Sequence, residues 1–390
     1  MFRRTIEPKI KEVAKKMPVI GILGPRQSGK TTLARATFPN YKYVSLENHE
    51  SREFAISDPK RFLASVENPD GVILDEIQHA PALLSYIQTY VDEHQKPGYI
   101  VITGSHNILL NQTISQTLAG RIALFTLPPL SIAELIENKI LPETIEKLIF
   151  KGCYPRIYAY DLDPIMWYAD YIQTYVERDA RQIANIEDLS AFKRFLGLCA
   201  GRVGQLLNYS SLAADCGIDQ RTAKAWMSIL EASYVVFLLQ PHHVNFNKRL
   251  IKTPKLYFYD TGLVCSLLDI ETPEQLHTHY LRGGLVESVI MSEIFKHYYG
   301  IGKRPQSVYF WRNQAGNELD CIIQKGNDLV PIEIKSSTTI SSSFFDGLKY
   351  WAELSGTPLP HGYVIYTGEE NQSRSLGTVI SWKHMEEMFK

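Results

Sequence analysis

A chain of 390 residues is too long for one ordinary hydrophobic core and predicts two to four domains. Its 45% hydrophobic and 21% charged residues exclude a disordered chain, and a formal net charge of −1 excludes a generally basic nucleic-acid binder, so any DNA contact must come from a local patch. Five scattered cysteines (Cys153, Cys199, Cys216, Cys265, Cys321) with no C-x-x-C pair exclude a disulfide frame or a zinc cluster.

The opening MFRRTIEPKIKEVAKK has no apolar stretch behind its basic residues, and no run of 18 apolar residues follows. The expectation is a cytoplasmic protein with no membrane partner. The first 130 residues then alternate apolar runs with helical stretches: PVIGIL (18–23), YKYVSL (41–46), GVILDE (71–76), GYIVITGS (98–105) and RIALFTL (121–127). Continuous Val, Ile and Leu predict parallel strands covered on both faces, hence a doubly wound α/β domain.

Between the first strand and its helix, Gly24-Pro25-Arg26-Gln27-Ser28-Gly29-Lys30-Thr31 satisfies G-x-x-x-x-G-K-[ST]. Glycines let backbone N–H groups converge on phosphate oxygens, and the new helix adds its positive end. Nucleotide contacts are expected from Gly24 through Thr32, with Lys30 on the β- and γ-phosphates of ATP and the Thr31 hydroxyl on Mg²⁺. VILDEIQ (72–78) supplies Asp75 for the metal's water shell and Glu76 to polarise the attacking water. YIVITGS ends in Thr103 and Ser105, where a polar side chain could sense the γ-phosphate.

The P-loop, the LDEIQ and ITGS strands and LAGRIALFTLPPLSIAEL resemble bacterial and archaeal ATPases of the AAA superfamily whose C-terminal half is a domain of unknown function. TYVERD (174–179) and PKLYFYDTGL (254–263) extend the resemblance over nearly the whole chain. It implies ATP hydrolysis and makes Arg121 a candidate γ-phosphate arginine, in cis or across the interface of a homo-oligomer. Arg178 and Arg181 are weaker candidates for that role.

From 131 to about 190 the text is helical and rich in tyrosine. YSSLAADCGIDQRTAKAWMSIL then reads as a helix-turn-helix, with Gly217 at the turn, Asp219 capping the second helix and Gln220, Arg221 and Lys224 pointing outward. SYVVFLL and KLYFYD flank a basic stretch with Lys248, Arg249, Lys252 and Lys255 as a wing, so DNA is the expected partner of a winged helix.

The last segment contains ELDCIIQ and LVPIEIK around the turn Lys325-Gly326-Asn327-Asp328, a hairpin signature. Glu333 and Lys335, two apart, share a strand face with Asp320 on the neighbouring strand, and LRGGLVESVIMSEIFKHY predicts an amphipathic helix carrying Glu287. This set resembles the PD-(D/E)xK nuclease core, with Leu319-Asp320 where that pattern has Pro-Asp. The resemblance makes Asp320 and Glu333 ligands of Mg²⁺, Lys335 the group that orients a water, and Glu287 a completing carboxylate. Gln324, Ser336 and Ser337 would instead line a binding site if the fold holds DNA without cutting.

The expected architecture is α/β: a P-loop AAA-type parallel-sheet ATPase domain (1–130), a helical lid (131–190), a winged helix (191–268) and a C-terminal α/β restriction-endonuclease-like domain (275–390). Two functions stay open: an ATP-dependent DNA-processing protein with a Mg²⁺-dependent phosphodiesterase, or an ATP-driven switch whose nuclease-like domain is inactive.

Overall fold

The computed structural model describes residues 1–105, 114, 116–176, 186, 188–242, 252–356, 358 and 361–389. Arg178, Arg181, Lys248 and Arg249 lie outside the described residues.

Helix α1 (Glu7–Ala14) precedes a five-stranded parallel sheet of β1 (Val19–Gly24), β2 (Lys42–Ser45), β3 (Val72–Asp75), β4 (Ile100–Ser105) and β5 (Ile122–Thr126), in spatial order β2-β3-β4-β1-β5. The expected strands all form. β1, β3 and β4 are buried along their whole lengths because α1 and α2 (Lys30–Thr37) cover one face while α3 (His49–Ser57), α4 (Pro59–Ser65) and α5 (Leu83–His94) lie on the other side. Since all strands run the same way, Gly24, Asp75 and Ser105 meet along one edge of the sheet, the edge where such sheets bind ligands.

Among the described residues the α-helices that follow are α6 (Ile132–Glu137), α7 (Ile145–Lys151), α8 (Pro155–Ala159), α9 (Pro164–Tyr171), α10 (Leu189–Ala200) and α11 (Tyr209–Cys216). Gly217, with φ 74°, ends α11, and the Asp219 carboxylate caps α12 (Gln220–Ala232) by accepting from the N–H groups of Arg221 and Thr222, as the sequence predicts. β6 (Val236–Leu239) and β7 (Lys255–Phe258) pair antiparallel behind this helix-turn-helix.

After α13 (Thr261–Leu267), α14 (Arg282–Gly300) leads into a six-stranded mixed sheet. Its strands are β8 (Val308–Arg312), β9 (Glu318–Lys325), β10 (Asp328–Lys335), β11 (Tyr363–Tyr366), β12 (Gln372–Arg374) and β13 (Gly377–Ser381), ordered β12-β13-β11-β10-β9-β8. α14 packs one sheet face through Cys321, Ile323, Ile332 and Ile365, and α15 (Asp346–Ser355) packs the other through Leu319, Ile322 and Val364.

Two expectations change. α14 is not amphipathic: from Leu285 to Lys296 every residue but Glu287 is buried, because the helix lies between β7 and the C-terminal sheet. Its buried serines tie it to β7, Ser288 accepting from the Phe258 N–H and Ser292 donating to the Tyr259 carbonyl. The second concerns packing alone: apolar contacts run on across 190 and 268 without a break. One continuous apolar cluster runs from Leu130 through the helices and α14 to Met388.

Candidate functional sites

At the P-loop, β1 ends at Gly24, where a Cβ would collide with the Leu127 carbonyl, and Gly29 takes φ 92° to turn the chain into α2. The buried Lys30 ammonium donates to the Pro25 carbonyl at 2.8 Å and the Gly24 carbonyl at 3.3 Å, so its tail lies folded inside the loop. The Thr31 hydroxyl donates to Asp75 Oδ1 at 2.7 Å. Asp75 also accepts from the Thr103 hydroxyl and, through Oδ2, from the Tyr43 hydroxyl at 2.9 Å. Burial, and then the neighbouring Asp75 carboxylate, push the Tyr43 phenol up to about 12. A threonine hydroxyl and a carboxylate side by side at the mouth of a phosphate loop are the hard oxygen donors that suit Mg²⁺, so this site fits the ion the P-loop implies.

Glu76 sits in the left-handed region, φ 57°, one residue past the strand. Burial alone would raise its pKa, but the Lys30 ammonium, the Gln78 amide, Arg26 and the Ser105 hydroxyl outweigh it and hold the carboxyl below its ordinary value. The Ser105 hydroxyl lies 3.2 Å from Glu76 Oε2, and Gln78 donates to the same oxygen. Thr103 and Ser105, expected near the γ-phosphate, hydrogen-bond Asp75 and Glu76 respectively.

The cavity above the loop encloses about 740 Å³. Arg26, Gln27, Ser28, Gly29, Lys30, Thr31, Thr32 and Glu76 line it on one side; Arg156 and Tyr160 at α8 close it on the other. Neither Arg156 nor Tyr160 stood out in the sequence. Arg121 is a correction. It precedes β5 at the sheet edge opposite the P-loop, its carbonyl accepts from the Val19 N–H, and its guanidinium grips Asp92 at 2.6 and 2.8 Å. A γ-phosphate contact in cis is thereby excluded.

Arg4, hidden in the basic N-terminus, braces the loop from behind. Its buried guanidinium donates to the Ser28 carbonyl at 2.8 Å and the Pro128 carbonyl at 2.7 Å, and lies 3.0 Å from the buried Glu134 carboxylate on α6. The next turn of chain is held from α14: Glu293 accepts from the Ile132 N–H at 2.6 Å, and Lys296 donates to the Leu130 carbonyl at 3.0 Å and to Glu293 at 2.8 Å. Arg4→Ala is expected to destabilise the P-loop domain by about 3 kcal/mol, because it leaves the buried Glu134 carboxylate with its Thr5 and Ser131 hydrogen bonds but without the Arg4 cation. The denaturant midpoint of that domain's unfolding checks this.

The second polar cavity, about 660 Å³, lies over β9 and β10. Glu287, Asp320, Glu333 and Lys335 all line it, as expected. Glu333 pairs with Lys335, and Asp320 Oδ2 accepts from the Ile334 N–H at 2.8 Å. The carboxylates that actually crowd together are Glu287, Glu318 and Asp320, which can each offer an oxygen within 4.8 Å of the others. Lys255, expected on a wing, is instead almost fully buried at the start of β7, and its ammonium lies 2.7 Å from Glu287 and against Glu318. Arg312 adds a second cation to Glu318 at 2.9 Å.

Burial works against the Lys255 ammonium, yet Glu287, Asp320 and Glu318 overcome it and raise its pKa. Burial and the Asp320 charge push both Glu287 and Glu333 upward. The Lys255 ammonium lies on Glu287 and Glu318 and Lys335 pairs with Glu333, so the carboxylates around Asp320 already carry cations and the cluster as it stands does not suit Mg²⁺. Gln324 and Ser336 do not line this cavity; Gln324 bonds the Gly326 carbonyl at the hairpin turn, and the Ser336 carbonyl accepts from Arg282. Among the described residues no helix is long and apolar enough to cross a membrane.

Residues 16–136 match the model of an AAA domain, while residues 142–274 and 282–385 match two domains of unknown function, DUF8612 and DUF4143. Uncharacterized proteins of Mycobacterium tuberculosis and Mycobacterium bovis are each 28% identical over 345 residues, covering 87% of this chain and 75% of theirs. Among solved structures, the Walker-type ATPase of Pyrococcus abyssi aligns at 15% identity and TM-score 0.42, covering 68% of this chain and 96% of that one. The RuvB Holliday junction branch migration motor of Thermotoga maritima aligns at 17% identity and TM-score 0.34, covering 60% and 89%. The N-terminal part of this α/β chain is a parallel-sheet domain with a P-loop, similar to AAA domains.

Proposed function

We propose that this chain binds and hydrolyses ATP and uses the nucleotide state to control its hold on DNA, as a switch whose C-terminal domain has a nuclease-like fold but does not cut. The observation that carries the ATPase reading is the pairing of Thr31 with Asp75 beside a Glu76 carboxylate kept charged by its neighbours. Thr31 and Asp75 would hold Mg²⁺, which when bound neutralises charge on the phosphates. Lys30 leaves the Pro25 carbonyl for the phosphate oxygens, and Glu76 takes the proton of the attacking water. Arg156 and Tyr160 close over the nucleotide from the α8 side.

For DNA, α11, α12 and the β6–β7 pair have the outline of a winged helix, with Gln220, Arg221 and Lys224 exposed along α12. The C-terminal cavity collects Glu287, Asp320, Glu333 and Lys335 as in a PD-(D/E)xK core, which supports the nuclease-like fold, while the buried Lys255 ammonium among those carboxylates favours the switch over the phosphodiesterase.

Fluorescence anisotropy with labelled duplex DNA tests this. Replacing both Arg221 and Lys224 by Ala is expected to weaken binding to all duplexes alike and to lower the slope of log K against log salt by about 2. A non-hydrolysable ATP analogue is expected to change DNA affinity several-fold; no change sinks the switch. Plasmid incubated with Mg²⁺ or Mn²⁺ should stay intact, and cleavage lost in Asp320→Ala would install the phosphodiesterase in its place.

A further inference from the structure

The polar cavity over β9 and β10 departs from the metal chemistry its fold resemblance implies. We infer that Lys255 is the resident cation of the Glu287–Glu318–Asp320 cluster and keeps divalent ions out of it. This deepens the non-cleaving reading of the C-terminal domain, on which it rests, by naming the residue responsible.

The geometry is specific. Lys255 opens β7, whose backbone is held on both sides, by Leu239 of β6 and by a bridge to Leu206. Its ammonium lies 5.6 Å from the centre of the Phe310 ring and contacts both the Glu287 and Glu318 carboxylates. The Tyr257 hydroxyl, two residues along the same strand face, donates to Glu287 as well. Arg312 neutralises the far oxygen of Glu318, and Lys335 neutralises Glu333. Lys255 and Tyr257 share one oxygen of Glu287, and Lys255 and Arg312 between them take both oxygens of Glu318, donors that a hard divalent ion would compete for. An ion entering here would meet three cations within the same small cavity and would have to expel a buried ammonium into water or leave it unpaired in place, either of which costs far more than a surface exchange. The cluster is thus a polar joint between the β6–β7 pair and the C-terminal sheet, completed by Glu287 of α14, which belongs to neither.

Binding of Mn²⁺, followed by loss of its free-ion paramagnetic resonance signal, tests the assignment. The full chain is used without nucleotide and carries Asp75→Asn, which silences the P-loop pair. With Lys255 intact, no stoichiometric uptake attributable to the cluster is expected. Lys255→Met, shown to be folded by its near-ultraviolet circular dichroism, is expected to take up one Mn²⁺ at least ten-fold more tightly, and adding Asp320→Asn should abolish that gain. Uptake of one equivalent by the Lys255-intact chain that disappears with Asp320→Asn overturns the inference, and this measurement stands even if Lys255→Met does not fold. A folded Lys255→Met that gains nothing overturns it too. Uptake without plasmid cleavage removes only the lysine assignment; cleavage removes the non-cleaving reading beneath it.

Discussion

Lys30→Ala is expected to lower the affinity for ATP on the order of 100-fold, the loss of about 3 kcal/mol that follows when a charged donor to phosphate is removed. The effect has two parts. The ammonium is the group that moves onto the β- and γ-phosphates, and before that it bonds the Gly24 and Pro25 carbonyls, so the truncated loop also loses its inner brace. Titration with a fluorescent ATP analogue measures the sum, and Lys30→Arg separates the parts because it keeps the charge but not the fit. Unchanged affinity in a folded Lys30→Ala protein would mean that this loop does not hold the triphosphate.

Glu76→Gln has the opposite signature: affinity kept, turnover lowered by about 10²–10⁴. Glutamine preserves an acceptor for the Ser105 hydroxyl, so the loop geometry is left nearly intact while the proton acceptor is removed. Because Lys30, Gln78 and Arg26 hold the wild-type carboxyl below its ordinary value, the base stays ionised as pH falls, and no acid limb from this group is expected near neutral pH. Steady-state phosphate release gives the rate, and normal turnover in the variant would place the base elsewhere.

The sheet and the loop were legible because each is written in contiguous residues. Apolar runs made parallel strands, and Gly24 to Thr31 spells its own chemistry. Asp75 and Glu76 followed from their place at a strand's end. Three features were not legible because they depend on partners far away in the chain. Arg4 is one of several basic residues near the N-terminus, and only its contacts with Ser28, Pro128 and Glu134 set it apart. Lys255 sits in a basic stretch that reads as a solvated wing, and nothing local says that β7 drives it among carboxylates. Arg121 has no place at its own P-loop because strand direction, which depends on the whole sheet, puts it at the opposite edge, leaving only the role across a subunit interface that the family resemblance also allowed. Glu318 had a readable signal: it stands two residues from Asp320, on the same side of the strand.

α14 gives the molecule a stiff crank. From Leu285 to Tyr299 it contains neither glycine nor proline, and its 19 residues span about 28 Å. One throw of the crank carries Glu287; the other, six to nine residues on, carries Glu293 and Lys296, which grip the chain just past the nucleotide loop's brace. A single unbroken helix thus carries charged residues of both ion-pair knots, the one over β9 and β10 and the one behind the phosphate loop.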